Sequence, residues 1–174
     1  VAGRAIGVVM AWQGTAHPFA LKPSWLQIMH DGWEVQWAKL QDPAFRQRLL
    51  DEEPLHLGDF EAFVTQSFHK MFLLADGYEP SPDQSIAALA QARGCTPAEL
   101  AMEVLLEDEG KGMLYFPLFN YSETNLNVLE HLHRSPMTRM GLSDAGAHCG
   151  AVCDGGMPTF MLTHWTRDRT RGPR

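Results

Sequence analysis

Between Gly112 and Trp165 two short apolar runs alternate with two helix-like stretches, and few architectures accommodate that alternation. The run Gly112–Phe119 holds Met113, Leu114, Tyr115, Phe116, Leu118 and Phe119, a length that suits a buried strand. Pro117 inside it predicts a bulge or a strand end, because proline cannot donate to a ladder. From Glu123 to His133, Leu126, Leu129 and His133 fall on one helical face. Met137–Leu142 is the second apolar run. Pro158 then opens a last helix, with Met161, Leu162 and Trp165 on one side. Strand, helix, strand and helix at this spacing predict a parallel unit with a right-handed crossover, and so an α/β fold.

Upstream, Ala5–Trp12 is apolar and long enough for a further buried strand. Pro18 and Pro23 break regular structure after it. Ser24 and Gln27 have capping-box spacing, with Trp25, Ile28 and Met29 behind them. Trp33 and Trp37 are four apart, again a helical spacing. Asp42-Pro43 opens a helix with Phe45, Leu49 and Leu50 as its stripe. Gly58–Leu74 has no clean period, and Asp76-Gly77 is a turn. Ser81-Pro-Asp-Gln84 and Thr96-Pro-Ala-Glu99 each combine a capping box with proline at the first helical position. Gly94 and Gly110 end the two helices that follow.

A formal charge of −7 argues against a nucleic-acid binder, which would usually show a basic face. The cluster Arg167, Arg169, Arg171 and Arg174 is short and reads as a solvated helix end. No apolar run reaches the ~18 residues of a membrane span, and the N-terminal stretch has no signal-peptide pattern. Cys95, Cys149 and Cys153 form no even framework, so reduced thiols and a cytoplasmic location are expected. The first residue is Val1, and the chain stops at Arg174 just after a helical pattern; the expectation is a piece of something larger.

The chemistry-bearing candidates cluster after the second run. Asp144 follows it at once, and a carboxylate at the C-terminal lip of a buried strand can hold a divalent metal or take a proton from a metal-bound water. An Asx-turn or a helix cap is the plain alternative for such an acid. His148, four residues on, can orient substrate or donate to a developing oxyanion. His148, Cys149, Cys153 and Asp154 lack zinc-knuckle spacing, and no base is placed for a cysteine nucleophile. His17 reads as a ligand or a loop residue. Tyr115, Asn120 and Tyr121 read as substrate contacts or as core aromatics with a turn asparagine.

Gly141-Leu-Ser-Asp-Ala-Gly-Ala-His148, then Cys153-Asp154, Pro158-Thr159 and Leu162-Thr-His-Trp-Thr-Arg-Asp-Arg169, resembles the C-terminal part of the N-acyl-D-amino-acid deacylase (D-aminoacylase-like) branch of the amidohydrolase superfamily. His17-Pro18-Phe19, Pro23-Ser24-Trp25 and Leu114-Tyr115-Phe116 also fit that branch. The resemblance implies a partial (β/α)8 TIM barrel, its last strands and helices, with a helical insertion. Residues 1–174 would be the C-terminal part of the barrel domain, incomplete at both ends. It implies a hydrolase that binds one or two zinc ions and splits the amide bond of N-acyl (D-)amino acids. Asp144 would be general base and metal contact, and Ser143 and His148 would bind substrate.

The family's metal site begins with a His-x-His pair on its first strand, and the predicted strands here carry none. The segment is therefore expected to be inactive alone, with open strand edges and a possible homo-oligomer. Two other functions stand beside the first: a truncated interaction or scaffold domain without catalysis, and a cyclic-amide amidohydrolase.

Overall fold

The computed structural model describes residues 3–14, 16–74, 77–141 and 155–172. Strand β1 is Ile6–Met10. Helices α1 (Pro23–Leu26), α2 (Trp33–Gln41), α3 (Pro43–Asp51) and α4 (Asp59–Gln66) follow. A two-residue strand β2 (Phe72–Leu73) precedes helices α5 (Ile86–Arg93) and α6 (Pro97–Gly110). Strand β3 is Leu114–Phe119, and among the described residues helices α7 (Asn127–Arg134) and α8 (Met157–Thr163) follow, the latter running into a π-helical turn, His164–Asp168. The α/β class is as the sequence predicts. The described strands form an open sheet, and a closed barrel is not among the described elements.

The sheet order is β1-β3-β2, and both pairings are antiparallel. The predicted parallel unit needed a strand at Met137–Leu142, and residues 137–141 form none. The cause is local. Ser135-Pro136 ends α7, the Thr138 hydroxyl donates back to the Leu132 carbonyl, and Met137 is 90% exposed. These backbone groups are satisfied at the helix end and do not seek a ladder.

Pro117 does sit beside a bulge. Ile6 pairs with Phe119 but Gly7 with Pro117, so Leu118 is the extra residue. Val8, Met10, Leu114 and Phe116 point inward and are buried. Helices α2, α3, α5 and α6 cover them through Leu40, Leu49, Ile86, Ala90, Leu100 and Leu105. Val9 and Tyr115 pair on the opposite, outward face.

The caps decide where helices start. Thr96 Oγ1 accepts from Glu99 N at 3.2 Å, and Thr96 N donates to the Glu99 carboxylate at 2.6 Å. Asp42 accepts from Ala44 N at 2.9 Å. The Ser81–Gln84 box opens only a 3₁₀ turn, and Ser85 caps α5. Ser24 makes no capping box: its N–H and hydroxyl both donate to the Glu52 carboxylate, at 2.9 and 2.5 Å. Helix α6 winds off through Asp108, Glu109 and Gly110, all with positive φ. Gly112 is required just beyond, because a Cβ there would lie 1.7 Å from the Val104 carbonyl oxygen.

A second, smaller core joins distant segments: Ala5, Tyr121, Leu126, Leu129, Phe160 and Trp165. Among the described residues no helix is long and apolar enough to cross a membrane.

Candidate functional site

Asp144, Ser143 and His148 lie outside the described residues, as do Cys149, Cys153 and Asp154. What is described is the chain on either side, up to Gly141 and from Gly155 onward. The downstream side is fixed by a buried ionic hub.

Glu79 is the centre of that hub. It stands between β2 and the Pro82–Gln84 turn, with its side chain 4% exposed. Arg169 grips it with two donors, Nε to Oε2 at 2.9 Å and Nη2 to Oε1 at 3.0 Å. Leu126 N donates to Oε1 at 2.8 Å, and His164 Nε2 lies 3.2 Å from Oε2. Arg169, itself fully buried, also donates to Asn127 Oδ1 at 2.7 Å and lies 4.7 Å from the Trp165 ring centre. Arg171 donates to the Glu79 carbonyl at 2.6 Å, and the Tyr121 hydroxyl to the Pro80 carbonyl at 2.8 Å.

Burial alone would raise the Glu79 pKa. The Arg169 and Leu126 donors and the nearby positive charge outweigh it and hold the carboxyl below its usual range. Burial pulls His164 below the ordinary histidine value despite the opposing pull of Glu79. The chemistry follows from this inventory. Glu79 is an ionised acceptor with its oxygens already engaged, so it fixes chain segments and has no spare capacity as a proton acceptor. Arg169 therefore corrects the picture of a solvated basic tail: it is 1% exposed.

His17 is a core residue. It is 1% exposed, its ring 4.8 Å from Trp12 and 4.7 Å from Trp25, and its Nδ1 accepts from Phe19 N at 3.3 Å. Burial drives its pKa down to about 3, so the ring is neutral.

A His-x-His triplet does occur, at His131-Leu-His133, but on helix α7. The His131 side chain is 82% exposed, whereas His133 packs edge-on against Trp165 at 4.7 Å. Residues two apart on a helix point in different directions, so these rings do not converge on one ion. Among the described residues no three His, Cys, Asp or Glu side chains are grouped to hold a metal.

Of the three residues around the end of β3, Asn120 donates to the Arg4 carbonyl at 3.2 Å and Tyr121 is buried in the second core. Tyr115 lines a cavity of about 620 Å³ on the outward side of the sheet, with Val9, Leu73, Leu89, Arg4 and Gln84.

Sequence alone missed Glu79 because it sits in a non-periodic stretch, Gly77-Tyr-Glu-Pro80. The one available signal was downstream. Arg169 ends a stretch that also holds Trp165, a pattern that buries one face and can carry an arginine inward with it. No family model, no curated protein and no solved structure matches this chain.

Proposed function

We propose that the chain belongs to a metal-dependent hydrolase that cleaves the amide bond of N-acyl (D-)amino acids or related compounds, built on a (β/α)8 frame. One observation carries this proposal: the order Gly141, Ser143, Asp144 and His148, followed by the stretch Leu162–Arg169. The described part of that motif supports it. His164, Trp165 and Arg169 are all buried, and their partners are far away in sequence: Glu79 for two of them and the Gly3 carbonyl, at 2.7 Å, for Trp165 Nε1. One face of the stretch is built into the molecule, while Leu162, Thr166, Arg167 and Asp168 are exposed.

In this proposal Asp144 accepts a proton from the attacking water. The water oxygen bonds to the acyl carbon, the carbon–nitrogen bond breaks, and Asp144 passes the proton to the departing nitrogen. Ser143 and His148 hold the substrate. Zinc, one or two ions, is implied by the resemblance alone. The described residues do not group to hold it, and no step is derived through it.

The test uses the protein expressed from its full native reading frame, with N-acetyl-D- and N-acetyl-L-amino acids as substrates and release of the free amine as readout. Asp144→Asn should lower kcat by about 10²-fold or more, with KM little changed. Unaltered turnover in that variant would remove Asp144 from the chemistry.

A further inference from the structure

Three methionines meet at Gly3. Its N–H donates to Met157 Sδ at 3.2 Å. A Cβ added there would lie 2.1 Å from Met161 Sδ and 2.7 Å from the methyl carbon of Met140. The Met161 sulfur therefore fills the space in which residue 3 would carry a side chain, and glycine alone allows the approach. The Gly3 carbonyl accepts from Trp165 Nε1 at 2.7 Å. These contacts tie the chain ahead of β1 to α8 and to the π-helical turn after it, at the second core, where Ala5, Phe160 and Trp165 are buried.

The three thioethers differ in their access to water. Met157 is fully buried, Met161 is half-buried and Met140 is 37% exposed. Met113 is comparably exposed, at 42%, but stands just before Leu114, which pairs with Met10 at the other end of the β1–β3 ladder from Ile6. A thioether that solvent can reach takes an oxygen atom from a peroxide, and the product is a polar, larger group. On Met161 that oxygen joins a sulfur already pressed against the Gly3 backbone, inside an apolar contact that is closely packed.

We propose that Met161 is a redox latch: its oxidation to the sulfoxide by a hydroperoxide expels Gly3 and frees the chain ahead of β1 from α8. The sulfur gives up two electrons and gains one oxygen atom, the O–O bond breaks, and hydrogen peroxide leaves as water. A thiol-dependent sulfoxide reductase reverses the step. The latch is independent of the hydrolase reading.

The protein expressed from its full native reading frame is treated with graded hydrogen peroxide. Peptide mass mapping reads the oxidation of each methionine, and amide exchange is read on the same samples. Met161 should oxidise more slowly than Met113 and faster than Met157. As it does, peptides covering residues 3–7 and 157–165 should exchange about tenfold or more faster, with α6 unchanged. Met161→Leu should keep both segments protected at the same dose, whereas Met113→Leu should not. Met161→Gln should loosen them without peroxide, and methionine sulfoxide reductase should restore protection in the oxidised parent. If Met161→Leu fails to fold, the parent decides alone, because loosening must rise with the Met161 sulfoxide fraction and not with that of Met113. Unchanged exchange after Met161 oxidation, loosening that persists in Met161→Leu, or a Met161 that stays reduced while Met113 is fully oxidised would each overturn the proposal.

Discussion

Replacing Arg169 by methionine keeps much of its bulk but strips two donors from Glu79, leaving a buried carboxylate short of its counter-charge. Such a loss costs about 3–5 kcal/mol, and urea unfolding of Arg169→Met at neutral pH should show it. The same region makes the protein acid-sensitive. Glu79 is held below the usual carboxylate range, so its contribution is complete above the unfolded-state value and disappears as pH falls through the lowered one. His164 and His17 act in the same direction. Burial holds both below the ordinary histidine value, so below about pH 6.5 the unfolded chain binds more protons at these positions than the folded chain. For His17 the loss extends down to about pH 3. His17→Phe should therefore flatten the fall of melting temperature between about pH 6 and pH 4. A profile as steep as that of the parent would place the acid sensitivity elsewhere.

Helix α6 shows which features of an element are written locally. Its start was legible because Thr96, Pro97 and Glu99 satisfy their own backbone within four residues. Its end was legible as Gly110, though the tight return through Gly112 was not. That position is dictated by the Val104 carbonyl, which the chain meets only after folding back. Gly112→Ala should cost about 2 kcal/mol or more, visible as an earlier thermal transition, because the new methyl group meets backbone and not a movable side chain. Strand pairing was illegible for a different reason. The apolar runs at Ile6–Met10 and Leu114–Phe119 say that each strand is buried, but not which neighbour it takes or in which direction. Met137–Leu142 misled because apolar content alone cannot show that Thr138 will close a turn on α7. The Asp144 motif was legible as a sequence pattern, but its residues lie outside the described ones; the Glu79 hub was not legible, because Glu79 and Arg169 are 90 residues apart.

Among the described residues, the buried apolar side chains form two cores of unequal size. The larger is built from β1, β3 and the helices from α1 to α6, the smaller from chain near Ala5, from Tyr121 to Leu129 and from Phe160 to Trp165. The smaller has few apolar members and leans on the Glu79 hub. Amide hydrogen exchange should therefore find α7 and α8 opening at lower free energy than α5, α6 and β3. Uniform protection across both sets would mean that the cores open as one cooperative unit.

Gly3 is held by the last helical segment on both sides: its N–H donates to the Met157 sulfur at 3.2 Å, and its carbonyl accepts from Trp165. During synthesis these early residues leave the ribosome long before their partners exist. The larger core can condense while translation continues, but the segment around Gly3 must wait, unsatisfied, until Met157 and Trp165 have emerged. A chain stalled before Met157 would thus leave the segment around Gly3 loose, which a quality-control protease could recognise.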